Sequence, residues 1–215
     1  MEPDTRVELE ATFKDGVPRE FINLKKILKG SSCESLINRL SGYSCVQEAL
    51  KLVCEAVDCY LELPEEKKPE TVGRALWSYA VIQYGKCYKK SEGWTVKLED
   101  SATLKDETQI MKDGHRWFIE QRDTFMAHGG KSFAQLSNVF VVRRKGSSGQ
   151  VDGILANTLT AGGVTDESLK NLKHLAESSL LYVVENTKSL QKKIILELLK
   201  TNHPLSSDLL KAHGL

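Results

Sequence analysis

Apolar residues recur along this chain at helical spacing, in stretches separated by short polar turns. Val46, Ala49, Leu50, Val53, Val57 and Tyr60 fall on one stripe, widened by Cys45, Leu52, Ala56 and Leu63, and predict a helix over residues 45–63. The proline-bracketed turn Pro64-Glu65-Glu66-Lys67-Lys68-Pro69 leads into a second helix over 70–88, with an expected buried stripe of Val72, Ala75, Leu76, Tyr79, Ala80 and Tyr84. Two helices joined by so short a turn are expected to pack antiparallel. Upstream, Pro18 and Gly30 punctuate a short helix over 19–28, and another over 34–40 is expected to break at Ser41-Gly42. Residues 89–105 read as a loop, and 106–128 as a helix stopped by Gly129-Gly130. The period then changes. Val139, Phe140, Val141 and Val142, the turn Gly146-Ser147-Ser148-Gly149 and a weaker run to Leu159 predict a β-hairpin at about 137–159. Thr165 is a good N-cap, with Asp166 and Glu167 in the first turn. From there Leu169, Leu172, Ala176, Leu180, Val183, Thr187, Leu190 and Ile194 make a seam that reaches about Lys200.

The expected architecture is therefore mainly α: an antiparallel helical bundle with a small β-hairpin before a long C-terminal helix. Residues 1–16 form an arm, and residues 17–215 a single domain.

The segment MKDGHRWFIEQRDTFMAHGG, Met111 to Gly130, carries the most chemistry. Met111, His115, Phe118, Ile119, Arg122, Phe125 and Met126 share one broad face, with Arg122 in the middle of its apolar part. A guanidinium is never deprotonated and is costly to bury unpaired, so Arg122 requires a carboxylate, a set of carbonyls or a bound anion. His128 follows six residues later, about 9 Å along an ideal helix and turned by roughly 120°. The two converge if the helix end unwinds at Gly129-Gly130, or if they meet a second copy across a two-fold axis.

Composition narrows the classes. Of 215 residues 40% are hydrophobic and 27% charged, ordinary for a globular chain. The net charge is +1, so nucleic acid would have to be met by a local basic patch rather than a global field. Lys131 and the run Arg143-Arg144-Lys145 offer a phosphate-binding lip, or a solvated strand end that blunts a sheet edge. Five cysteines without a C-x-x-C pair fit neither a disulfide framework nor a zinc knuckle, and read as small hydrophobes in a reducing compartment. No run of about 18 apolar residues suggests a membrane span, and the acidic start lacks a secretory h-region, so a cytoplasmic setting is expected. His174, His203 and His213 have no partner at ligand spacing, so neither a metal nor another cofactor is expected. No P-loop, dinucleotide fingerprint or Gly-x-Ser-x-Gly elbow is present.

The run Arg122-Asp123-Thr124-Phe125-Met126-Ala127-His128, followed by two glycines, resembles the motif of the HEPN superfamily, and its abortive-infection branch in particular. The helix order before it extends the resemblance loosely over residues 43–130. HEPN nucleases are small helical proteins that cleave RNA without a metal, the 2′-hydroxyl attacking the adjacent phosphate. The resemblance implies that Arg122 and His128 are catalytic, that Asp123 fills the polar position after the arginine, and that two protomers pair around one cleft. It also implies RNA as substrate, a defence or toxin–antitoxin role, and an antitoxin or other regulatory protein as partner. Histidine suits proton transfer near neutral pH, and arginine suits a phosphate. An aspartate after the arginine can orient Arg122 or His128, yet would repel a phosphate placed directly on it.

Blander readings of the same residues remain open. His128 is also suited to cap a helix C-terminus. Arg122 is also suited to pair structurally with Glu120, Asp123 or an acid on another helix. His115 reads as a core histidine with one satisfied nitrogen, or as a partner behind Arg122. The rival to a nuclease is a non-catalytic helical module that binds a nucleotide, RNA or a partner protein.

Overall fold

A computed structural model describes residues 24–68, 71–90, 93–126, 135–143, 151–160 and 164–200. The protein is mainly helical. Its elements are α1 (Leu24–Ile27), α2 (Glu34–Leu61), α3 (Thr71–Tyr88), α4 (Asp100–Thr103), α5 (Gln109–Glu120), a π-helical segment (Gln121–Met126), strands β1 (Gln135–Arg143) and β2 (Val151–Thr160), and α6 (Asp166–Lys200). The strands pair antiparallel from Gln135↔Thr160 to Val142↔Gly153, with a shift in register before Arg143↔Val151.

The chain divides into two compact units. One holds, of the described residues, 24–46, 93–96 and 183–200; the other holds 47–90, 97–126, 135–143, 151–160 and 164–182. In the first, Leu28, Cys33, Ile37, Ile194 and Leu198 form an apolar cluster, with Leu24, Leu36 and Leu40 packed against it. Gly30 takes a left-handed φ of 77° after the α1 turn, where a side chain would be strained. Its N–H donates to Glu34 Oε2, at 2.7 Å.

The expected break at Ser41-Gly42 does not occur, and α2 runs through it. Gly42 is buried, and a Cβ there would lie 2.7 Å from Val96 Cγ2 and collide with Thr95 Oγ1. This glycine serves close approach of the 93–96 segment rather than chain reversal.

In the second unit the apolar stripe of α2 is buried as its spacing predicts, with Leu50 and Val53 wholly inaccessible. On α3 the expected Ala80 and Tyr84 are buried, together with Gly73, Trp77, Val81, Gly85, Cys87 and Tyr88. Val72 and Tyr79, expected inside, are exposed. Small residues on the true face bring neighbouring backbone close: a Cβ on Gly73 would collide with the Lys68 carbonyl. Lys68 itself is bound by Glu65 at 2.7 Å and by Asp166 at 2.6 Å, which ties the α2–α3 turn to the start of α6.

Helix α6 begins where its cap predicts, the Ser168 N–H donating to Thr165 Oγ1 at 3.2 Å. Its seam is buried at Leu169, Leu172, Ala176, Val183, Leu190 and Ile194. The segment expected as a loop over 89–105 contains α4, and its Leu98 and Leu104 are buried. None of the five cysteines forms a disulfide: Cys33 and Cys87 are buried, whereas Cys45 and Cys59 are exposed. No helix among the described residues is long and apolar enough to cross a membrane.

Candidate functional site

The helix expected over 106–128 starts later and changes geometry. Thr108 caps α5, its Oγ1 accepting from the Met111 N–H at 3.3 Å. The α-helix ends at Glu120, and Gln121–Met126 continue as a π-helical turn. Such turns are rare and concentrate at functional sites. This one carries Arg122 and Asp123.

Arg122 meets two groups, Gly85 and Asp123, and Asp123 meets a third, Lys89. The Arg122 stem lies against Gly85 of α3, where a Cβ would fall 2.7 Å from Arg122 Cγ. Its Nη1 donates to Asp123 Oδ1 at 2.7 Å. The other oxygen of Asp123 is 3.0 Å from Lys89 Nζ, just past the end of α3. The Arg122 side chain is 21% exposed and that of Asp123 35%, so the assembly sits at the surface edge of the core. Burial raises the Asp123 pKa, but hydrogen bonds from Arg122 and Lys89 outweigh it and hold the carboxyl below its ordinary value. Of the carboxylates open to Arg122 in the sequence, it is Asp123 that binds it. Arg122 and Lys89 thus bind opposite oxygens of one carboxylate.

About two turns back, on α5, His115 is 2% exposed and uses both ring nitrogens, not one as the sequence suggested. Nδ1 is 2.8 Å from Tyr84 Oη, and Nε2 is 3.3 Å from Asp100 Oδ1. An ionised carboxylate only accepts, so Nε2 carries the proton and Tyr84 donates to Nδ1. Burial lowers the His115 pKa, opposed by Asp100. Tyr88 stacks edge-on to the imidazole at 4.6 Å and binds Thr103 and Ser179 through its hydroxyl.

An open groove of about 780 Å³ is lined by Lys89, His115 and Asp123, with Arg122 outside its walls. Lys97 and Arg116 and the carboxylates Glu99, Asp100 and Glu120 also line it. Among the described residues, no three His, Cys, Asp or Glu side chains gather as a metal site requires.

Of the residues singled out from sequence, Arg122 and Asp123 are brought together. His128, Lys131, Arg144 and Lys145 lie outside the described residues, and Arg143 is placed as the last residue of β1. Gly85, Lys89 and the Tyr84–His115–Asp100 chain were not anticipated. Gly85 was detectable as a glycine inside a helical seam, a sign of close approach; Lys89 carried no local signal.

No family model, curated protein or solved structure matches the chain.

Proposed function

We propose that the chain is a HEPN-like, metal-independent endoribonuclease: an antiparallel helical bundle with a hairpin before its last helix, acting as a homodimer. The observation that carries this reading is the placement of Arg122. It stands on a π-helical turn at the edge of the core, partly exposed and bound to Asp123, not consumed in the core. Arg122 binds the scissile phosphate and stabilises the charge that grows on it. The 2′-oxygen forms a bond to phosphorus, the bond to the 5′-oxygen breaks, and a cyclic phosphate remains. His128 exchanges the proton, as base at the 2′-hydroxyl or as acid at the 5′-oxygen. Lys131, Arg143, Arg144 and Lys145 contact flanking phosphates. A defence or toxin role, with an antitoxin as partner, accompanies this reading.

A second reading is favoured by the Asp123 bond, which already occupies one donor of Arg122. On it, the chain is a non-catalytic module that binds RNA, a nucleotide or a protein partner.

RNA cleavage in EDTA separates them. The nuclease cleaves as wild type and loses activity in both Arg122→Ala and His128→Ala, with the variants folded and unchanged in size. Absence of cleavage across several RNAs leaves the binding module.

A further inference from the structure

The net charge of +1 conceals an uneven distribution. The compact unit that holds residues 24–46, 93–96 and 183–200 carries, over those residues, eight lysines and arginines against three glutamates, a net of +5. Charge segregated in this way sets up a local field that a polyanion can follow, where the chain as a whole offers none. Two of the three glutamates are engaged inside the unit: Glu34 accepts the Gly30 N–H, and Glu197 holds Lys200 at 2.6 Å.

The positive charge is ordered along the last turns of α6. Leu190, Ile194 and Leu198 are buried, which fixes the rotation of the helix. Lys188, Lys192 and Lys200, spaced by multiples of four, fall on the opposite side with Lys193 beside them, and all four are exposed. They span about 18 Å of helix. Among the described residues no carboxylate pairs with Lys188, Lys192 or Lys193. Lys188 and Lys192, one turn apart, repel each other in the absence of an anion. Leu196, 53% exposed, is the one large apolar residue on this face. A helix that lies in a lipid surface needs an apolar face to insert, and α6 has buried its apolar face in the core. Long ammonium side chains in a row suit a string of phosphates instead.

We propose that Lys188, Lys192, Lys193 and Lys200 form a docking face for the phosphate backbone of a single-stranded nucleic acid. Such contacts place a strand and carry no base specificity. The face goes beyond the nuclease reading, since it needs neither Arg122 nor His128. It is the local basic patch that a chain of net charge +1 requires in order to hold a nucleic acid.

The test is binding of a fluorescent single-stranded RNA with 2′-O-methyl riboses, which cannot be cleaved, by the full chain at salt concentrations from about 50 to 200 mM. Lys188→Gln, Lys192→Gln and Lys193→Gln combined are expected to weaken binding by more than about tenfold at the lower salt. The slope of log K against log salt should fall by about 2, three phosphate contacts at roughly 0.7 each. Glutamine matches lysine in helix propensity, so the variant is expected to fold, and circular dichroism checks it. Arginine at the same three positions retains both affinity and slope. Lys51→Gln, Lys105→Gln and Lys170→Gln combined remove as much charge from exposed positions of the other unit and should leave the slope unchanged. Wild-type affinity and slope in the α6 variant would overturn the face. So would an equal loss in both triple variants, which is an effect of net charge alone. No RNA binding by wild type would overturn it too, and capture by vesicles rich in phosphatidylserine would then assign the lysines to a lipid surface. Failure of the nuclease reading alone looks different: cleavable RNA stays intact while the oligonucleotide still binds through α6.

Discussion

Gly85 and Arg122 occupy the same space to within a methyl group: a Cβ on the glycine would stand 2.7 Å from Arg122 Cγ. The near end of a side chain cannot swing aside as its tip can. Gly85→Ala gains about 1 kcal/mol of helix propensity and meets about 1–3 kcal/mol of overpacking. The variant is therefore expected to be neutral to about 2 kcal/mol less stable by urea denaturation. Its sign should reverse in an Arg122→Ala background, where the alanine has room. A double-mutant cycle measures the coupling, expected at about 1–3 kcal/mol. Additive effects would separate the two residues.

The Tyr84–His115 bond, 2.8 Å and fully buried, makes two separate predictions. Tyr84→Phe keeps the ring and leaves Nδ1 of His115 without its donor, at a cost of about 1–3 kcal/mol. The second concerns pH. Burial depresses the His115 pKa below 6.5 in the fold, more than Asp100 restores it. Below about pH 6.5 the unfolded chain therefore binds the proton more readily than the native one, and stability falls as pH falls. The loss is at most about 1.4 kcal/mol per pH unit from this one group. Urea denaturation at pH 7.5 and 5.5 reads it as the difference between wild type and His115→Gln, whose slope should be shallower. Equal slopes would show that His115 does not protonate on unfolding in this range.

Legibility in the sequence followed how local the cause was. Helix α6 was readable end to end because its start is set by Thr165 and its burial by one uninterrupted seam. The α2 stripe was readable for the same reason. The α3 face is legible at Ala80 and Tyr84 but not at Val72 and Tyr79, because hydropathy gives glycine no weight, whereas Gly73 and Gly85 are where neighbours come closest. At the site, Arg122 and Asp123 are adjacent in sequence and could be paired by inspection. Lys89 and Asp100 reach their partners only through the packing of α3 and α4 against α5, which no local spacing encodes.

The cap on α6 gives the simplest stability test. Thr165 Oγ1 accepts the Ser168 N–H, one of the donors a helix start leaves unsatisfied. Thr165→Ala is expected to cost about 1 kcal/mol, and Thr165→Ser or Thr165→Asp to retain most of it. A loss in all three variants would trace the effect to the threonine methyl instead.

Gly42 is a close contact of the same kind within the other compact unit. Its hydrogen points at Val96, whose Cβ and Cγ2 stand 3.0 and 2.7 Å from a Cβ built there. Val96 is branched at that carbon and cannot rotate both branches away. Thr95, the second neighbour, is itself fixed, its hydroxyl donating to the Asn38 carbonyl at 2.6 Å. An alanine must displace one of them or lengthen that bond. Gly42→Ala should therefore destabilise by about 1–3 kcal/mol of overpacking, less the roughly 1 kcal/mol that helix propensity returns. Val96→Ala in the same chain should recover part of the loss. If Gly42→Ala proves more stable than wild type, Ser41-Gly42 is a flaw in α2 and not a packing site, and propensity alone governs this stretch of the helix.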